Sequence, residues 1–283
     1  MINDEILLEI WNDIENKDKK YFKTDFEELD EILKIEEHTG ALITIGARPA
    51  MGKTAFALSI TEKILQQKKK VLAFSLEMSE KQFVTRLLVI NSEVDFMRIK
   101  TVYLYPNDYD KLGNSMRNLH EFDLTVCDMP VAIEEIEEKI KTHKPEVVLI
   151  DYLQLVSGKR KMDRFSQIED IMKNLKRIAK ENGVVIFILS QLSRSLESRC
   201  DKRPLLSDLR ESGSIENISD VVIFLYRPDY YDHDYDDNEI RVKGETEVIV
   251  AKNKFGCVDT VHMCFKPSIT KFYSGRSKLS DIF

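Results

Sequence analysis

Residues 46 to 54 read GARPAMGKT. Gly52, Lys53 and Thr54 close the pattern G-x-x-x-x-G-K-[ST], in which successive backbone N–H groups cradle phosphate oxygens. In strict register Ala47 stands at the pattern's first glycine, and Gly46 lies one residue early. An ordinary φ at that position accepts alanine. Gly52 matters more, because the backbone there must approach phosphate closely. Lys53 is placed to reach β- and γ-phosphates, and the Thr54 hydroxyl to bind Mg²⁺. Ala47, Arg48, Pro49, Ala50 and Met51 complete the loop, and a helix opening at residue 53 adds its positive N-terminal end. The chemistry indicated is capture of a nucleoside triphosphate.

A metal site on such a loop needs a carboxylate delivered by a strand. Residues 147–151, VVLID, are four apolar residues followed by Asp151, about a hundred residues beyond the loop. An Asp at a strand's C-terminal end can hold Mg²⁺ there, and the bland alternative is a turn former. Hydrolysis also needs a group that orients or deprotonates water. Glu77, in SLEMS, sits at the tip of another apolar run and has the chemistry of a general base, with helix capping as the alternative. Gln191, in LSQLSR, ends a further run and could sense the γ-phosphate through its amide.

These groups must be positioned by strands. Apolar runs over 42–47, 71–75, 124–127, 147–151 and 184–190 alternate with helical patterns over 54–67, 80–91, 109–120, 133–142 and 166–181. Such alternation predicts right-handed βαβ units and a mostly parallel twisted sheet flanked by helices. Beyond residue 220 the runs 221–226, 246–251, 258–265 and 269–273 follow without helices, so antiparallel strands are expected at the C-terminal end of the sheet. At the other terminus Ile6, Leu7, Ile10, Trp11 and Ile14 fall at helical spacing over 4–15, before a basic hinge at 17–20. That apolar stripe must bury against its own body or a neighbouring copy.

The 283 residues carry a net charge of −7, with 43% hydrophobic and 32% charged residues. An acidic chain lacks the overall basic field of a nucleic-acid binder, yet local basic loops remain possible because salt confines fields to ~8–10 Å. No apolar run approaches the ~18 residues of a membrane span, and the first twenty residues open acidic and amphipathic, without the basic start and apolar stretch of a secretory signal, so neither secretion nor membrane insertion is expected. Cys127, Cys200, Cys257 and Cys264 form no C-x-x-C pair, which argues against a zinc ribbon and fits a reducing, cytoplasmic compartment. The Asp/Tyr-rich stretch 229–239 reads most simply as a solvated hairpin loop, with a metal or basic-partner site as the alternative.

Taken in order, ARPAMGKT, SLEMS, LIDYLQL, LSQLSRSLESRCDKRP, SDLRESGSIE and AKNKFG resemble the C-terminal RecA-like motor domain of DnaB-type replicative DNA helicases, over residues 21 to 275. The resemblance implies a RecA-like P-loop NTPase core spanning 21–283, with residues 1–20 as a linker helix and hinge that docks on the adjacent subunit. It implies ATP and Mg²⁺ at Lys53, Thr54 and Asp151, Glu77 as catalytic glutamate and Gln191 as γ-phosphate sensor. Arg86 matches an arginine that reaches toward the nucleotide. Arg210, Glu211 and Gly213 match the segment touching phosphates of single-stranded DNA, and the loop carrying Lys159, Arg160 and Lys161 is either a solvated charge run or a second DNA loop. Backbone contacts of this kind carry no sequence information, as suits a motor that traverses any DNA.

Lys252 and Lys254 match a lysine and an arginine finger that enter the neighbour's ATP site. Lysine at 254 departs from the family, keeping charge but losing the guanidinium fork. The resemblance further implies a homo-oligomeric, hexameric ring, 5′→3′ translocation, duplex unwinding and a helicase loader as partner. A primase contact is in question, since the family's primase-binding N-terminal domain is not among these residues. A regulatory or loading ATPase that binds DNA without unwinding it is the alternative reading, and a filament-forming recombinase relative a third.

Overall fold

The computed structural model describes residues 4, 7, 8, 11, 20–158, 163–209, 212–231 and 244–275. Nine strands form one sheet in the order β3-β2-β4-β5-β1-β6-β7-β8-β9. They are β1 (Ala41–Ala47), β2 (Val71–Ser75), β3 (Leu124–Cys127), β4 (Val147–Asp151), β5 (Val185–Gln191), β6 (Val221–Tyr226), β7 (Glu245–Asn253), β8 (Asp259–Lys266) and β9 (Lys271–Ser274). The pairings from β3 through β6 are parallel, and β7, β8 and β9 add on antiparallel. The expected α/β architecture, with its antiparallel C-terminal extension, is what the chain adopts.

Every residue of β1, β2, β4 and β6 is buried. Parallel strands covered on both faces must be apolar throughout, which is why these segments read as unbroken runs rather than alternations. Alternate residues of β1 serve opposite faces: Ile43 and Ile45 join one core cluster, Leu42 the other. The first cluster packs α1 (Glu27–Leu33), α2 (Lys53–Gln66) and α3 (Glu80–Ser92) against the sheet; α4 (Phe96–Thr101) and α5 (Pro106–His120) follow α3 along the chain. The second packs α6 (Ile133–His143) and α7 (Arg164–Asn182) on the other face. A short helix, α8 (Ser212–Ile218), precedes β6.

Helix α5 starts three residues before the apolar periodicity predicts. Pro106 stands at its first turn and the buried Asp108 carboxylate accepts from the Tyr105 N–H at 3.0 Å, so a cap rather than a stripe sets that boundary. Helices α1, α4 and α8 are too short for a periodicity to register.

In the N-terminal arm, Asp4, Leu7, Leu8 and Trp11 are helical, and the remaining residues of 4–15 lie outside the described ones. Leu7, Leu8 and Trp11 are 49%, 62% and 58% exposed, so these side chains are not buried against the body of their own chain. In the acidic stretch, 228–231 is a helical turn with Asp229 paired to Arg227 at 2.9 Å, not a free loop; residues 232–239 lie outside the described residues. Among the described residues no helix is long and apolar enough to cross a membrane.

Candidate nucleotide site

The C-terminal ends of β1, β2, β4 and β5 open on one edge of the sheet around a cleft of ≈ 380 Å³. Residues 48–52 leave β1 and curl into α2. Ala50 has φ 65° and Gly52 φ 93°, both in the left-handed region, the kind of backbone from which anion-binding concavities are built. Ala50 takes that geometry as a non-glycine, at a cost of about 1–2 kcal/mol. A Cβ on Gly52 would come within 3.3 Å of the Phe272 ring, so a side chain there would meet an unfavourable φ and a tight contact with the hairpin that lies over it. Gly46 has a different purpose: a Cβ there would sit 2.9 Å from Phe224 and 3.0 Å from Leu192. The glycine that is one residue early serves packing, and Ala47 takes the motif's first position without penalty.

Thr54 and Asp151 meet as predicted, the threonine hydroxyl donating to Asp151 Oδ2 at 2.9 Å. Asp151 is buried, its other oxygen, Oδ1, accepts no hydrogen bond, and burial raises its carboxyl above the ordinary carboxylate value against the pull of Lys53. An unpartnered, dehydrated carboxylate oxygen beside a hydroxyl is the donor set a hard divalent cation seeks, so these residues fit Mg²⁺. Burial likewise lowers the Lys53 ammonium from its usual value, opposed by the charges of Asp151 and Glu77. Its Nζ lies 4.9 Å from the centre of the Tyr152 ring.

The cleft is lined by Ala47, Arg48, Pro49, Ala50, Gly52, Lys53 and Thr54, together with Glu77, Arg86 and Gln191. Glu77 is exposed two residues beyond β2, Arg86 reaches in half-buried from α3, and Gln191 ends β5 in register with Ala47. Met51 does not line the cleft. Its side chain is buried and its N–H donates to the Arg48 carbonyl at 3.3 Å, closing the turn of the loop. The Arg48 side chain is also engaged elsewhere: Nε and Nη2 donate to Glu197 Oε1 at 2.9 and 2.6 Å, and Nη1 donates to the Leu192 carbonyl at 2.9 Å.

Four lining residues are not among the sequence candidates: Ala55, which simply follows Thr54 in α2, and Tyr152, Phe265 and Thr270. Tyr152 directly follows Asp151, so adjacency to a metal-holding strand end was an available signal. Phe265 and Thr270 come from the β8–β9 hairpin and had no local signal. That hairpin is anchored behind the phosphate loop by Phe265 stacked on Phe272 at 4.7 Å, Phe272 edge-on to Phe56 at 5.2 Å, and the Phe272 N–H donating to Ser59 in α2. Each such ring pair contributes about 0.5–1.5 kcal/mol beyond the area it buries.

Lys252 and Lys254 are not at this cleft. They lie near the end of β7, which pairs with the start of β6, beside the start of β1. Lys252 stands level with Thr44 and Lys254 level with Leu42, so three and five residues of β1, roughly 10 and 17 Å at ~3.3 Å per residue, separate them from the end of that strand where the phosphate loop begins. Lys252 Nζ donates to the carbonyls of Glu216, at 2.5 Å, and Asn217, at 3.1 Å, in the last turn of α8; Lys254 Nζ pairs with buried Asp220 at 3.2 Å. Burial and the neighbouring Lys254 lower the Lys252 ammonium from its usual value. Gly213 is exposed in the first turn of α8, while Arg210, Glu211, Lys159, Arg160 and Lys161 lie outside the described residues.

Comparison with known proteins agrees with this geometry. The family model described as DnaB-like helicase C terminal domain matches residues 22–274. The replicative DNA helicase DnaB of Geobacillus stearothermophilus is 39% identical over 281 residues, covering 95% of this chain and 61% of that protein. The replicative DNA helicase DnaC of Bacillus subtilis is 40% identical over 248 residues, covering 85% and 54%. The chain thus spans between half and two thirds of the length of these relatives. Among solved structures, the ATPase domain of G40P superposes with a TM-score of 0.88 at 36% identity, covering 96% of this chain and 98% of that one. A DnaB-like replicative helicase, described with its primase interactions, superposes with a TM-score of 0.90 at 35% identity, covering 97% and 69%. The fold is that of a RecA-like ATPase domain, and the chain belongs to the DnaB-like helicase C-terminal domain family.

Proposed function

We propose that this chain is the ATP-hydrolysing motor of a replicative DNA helicase, which closes with other copies of itself into a six-membered ring and moves 5′→3′ along single-stranded DNA, separating duplex. One observation carries the reading. The phosphate loop, the Thr54–Asp151 pair, Glu77, Arg86 and Gln191 converge at the C-terminal end of the parallel strands, while neither candidate finger lysine lines that cleft: Lys252 stands level with mid-β1 and Lys254 with its start. A site that needs those lysines is completed only by a second copy, which favours hydrolysis at subunit interfaces.

In this reading backbone N–H groups of the loop, among them those of Gly52, Lys53 and Thr54, and the Lys53 ammonium bind the β- and γ-phosphates, and Thr54 and Asp151 would hold Mg²⁺. When bound, the ion neutralises charge that develops on the phosphate oxygens. Glu77 orients the attacking water and accepts its proton, Gln191 holds a γ-phosphate oxygen through its amide, and Arg86 faces the nucleotide from α3. Lys252 and Lys254 of one copy serve the cleft of the next. Lys254 gives charge without a fork, so turnover is slower than an arginine would allow. Arg210, Glu211 and Gly213, with Lys159, Arg160 and Lys161, would meet DNA phosphates. Residues 1–20 would dock on the adjacent copy through the exposed Leu7, Leu8 and Trp11. A helicase loader is a further partner in this reading, and the cytoplasm its compartment.

The test is steady-state ATP hydrolysis with and without a single-stranded oligonucleotide over a range of protein concentration. Stimulation by DNA, rising steeply with protein concentration, is expected. Slow hydrolysis indifferent to both would overturn the reading in favour of a regulatory ATPase.

A further inference from the structure

The Arg48 side chain lies in the phosphate loop yet does not serve phosphate. All three of its donor nitrogens grip one segment, the stretch that leaves β5 just after Gln191. The Arg48 side chain is 9% exposed and that of Glu197 47%, so the ion pair has a buried cationic partner and a half-exposed anionic one. A charge-assisted contact in that setting is stronger than an open surface pair. The Leu192 N–H donates to the Ala47 carbonyl at 3.3 Å, so backbone and side chain both fasten the loop to residue 192.

The gripped segment is itself closed. Leu192 bridges Leu209, and the Ser193 N–H donates to the Asp208 carbonyl at 2.8 Å. The Asp208 carboxylate takes Arg199 at 2.8 Å and the Leu205 N–H at 2.7 Å. Residues 192–209 are thus one braced unit that starts beside Gln191 and ends immediately before the 210–213 segment. The Arg48–Glu197 pair and the Leu192 contacts join the phosphate loop to a unit whose last residue, Leu209, directly precedes that segment.

We propose that the Arg48–Glu197 pair is a strut that transmits the state of the phosphate loop to the 192–209 unit, and so positions the DNA-facing segment beyond it. Glu197 is then a positioning residue: it touches neither nucleotide nor DNA, yet sets how far DNA accelerates hydrolysis. The inference deepens the function proposed above and rests on it, because residues 210–213 are taken to meet DNA.

The experiment compares the full chain with Glu197→Ala, reading ATP turnover without DNA and with saturating oligo(dT), and oligo(dT) affinity by fluorescence anisotropy. In E197A the DNA-stimulated maximum should fall at least threefold, while DNA-free turnover and oligo(dT) affinity stay within twofold. Glu197→Gln keeps an acceptor for Arg48 and should recover part of the stimulation. A merely structural role would lower all three readings together, or none. Should E197A fail to melt cooperatively, Glu197→Asp, which shortens the reach by one methylene, is read in the same way. Equal stimulation in a folded variant and the unaltered chain overturns the strut alone. Absence of stimulation or of oligo(dT) binding in the unaltered chain overturns the DNA-motor reading, and the strut with it.

Discussion

The two edges of the central sheet treat buried charge in opposite ways. At the cleft edge, Asp151 is buried with Oδ1 unpartnered, and burial holds both it and Lys53 away from their usual ionisation. At the opposite edge, Asp220 is equally buried and fully engaged. Its Oδ2 accepts from the Leu42 N–H at 2.9 Å and from Lys176 at 2.6 Å, and its Oδ1 from Lys254 at 3.2 Å. Its backbone exchanges with both strands as well, the Asp220 N–H donating to Leu42 and the Lys254 N–H to Asp220. Thr44 and Ser219, joined at 2.7 Å, extend the same knot between β1 and the end of α8. A satisfied carboxylate stabilises the fold, whereas an unsatisfied one keeps electrostatic capacity for a ligand. One edge is therefore built to bind and the other to hold.

Substitution separates them. Lys53→Ala should lower ATP turnover by roughly 10²–10³-fold or more, since it deletes the cation aimed at charge developing on the phosphates. Its melting temperature should stay the same or rise, because a dehydrated cation is removed. Asp220→Ala should do the reverse. It strands the Leu42 N–H and two lysines, at a cost of about 2–4 kcal/mol, which in a chain of this size lowers Tm by roughly 5–15 °C. Nucleotide affinity at a temperature where D220A is folded should be retained. Calorimetry and nucleotide binding on both variants check the pair. A thermally neutral D220A, or a strongly destabilised K53A, breaks the contrast.

The residue string exposes these two edges unequally. Gly52, Lys53, Thr54 and Asp151 were legible because phosphate and metal chemistry permits few residue types, and strand runs place them at the same end of the sheet. Glu77 and Gln191 were legible as strand-end polar residues, with roles supplied by resemblance. The sheet itself was legible because both-face burial leaves its strands apolar. What stayed hidden was pairwise. Asp220 is an ordinary acidic residue in sequence, and its function depends on Lys176 and Lys254, 44 and 34 residues away. Glu197 lies 149 residues from Arg48, and Phe265 reaches the cleft only because β8 and β9 fold back over α2. Local periodicity cannot report such meetings, and Arg48 read as one more loop residue for that reason.

Lys254 joins the two edges, since it is parked on Asp220 in one copy and proposed to act at the cleft of the next. Lys254→Arg should raise turnover by about threefold to tenfold, as the guanidinium supplies two directed donors where the ammonium supplies a point charge. The location of the site in trans is sharpened by mixing. K53A retains its lysines at the far edge, and Lys254→Ala retains its phosphate loop, so a mixture of the two should hydrolyse ATP faster than either alone. No gain on mixing would mean that each cleft works within its own chain, and an unchanged or lower rate in K254R would remove the finger assignment.

The smallest expected effect is a shift in pH dependence at the cleft. Burial raises the Asp151 carboxyl, so its protonated form is favoured relative to an exposed aspartate, whose pKa lies near 3.9. On acidification the carboxylate that would hold Mg²⁺ is lost at a higher pH than in an exposed site. At subsaturating Mg²⁺, metal-dependent binding of a fluorescent nucleotide should weaken while the pH is still above the ordinary carboxylate range, and the loss should shrink as Mg²⁺ is raised, because the cation competes with the proton for the same oxygens. Asp151→Asn should bind weakly at every pH and show no such acid limb. If the limb persists in D151N, the titrating group is not Asp151, and the raised carboxyl does not set the acid dependence. If the unaltered chain shows no limb above pH ~4, burial does not raise Asp151 in solution, and the cleft edge holds its charge in the same way as the Asp220 edge.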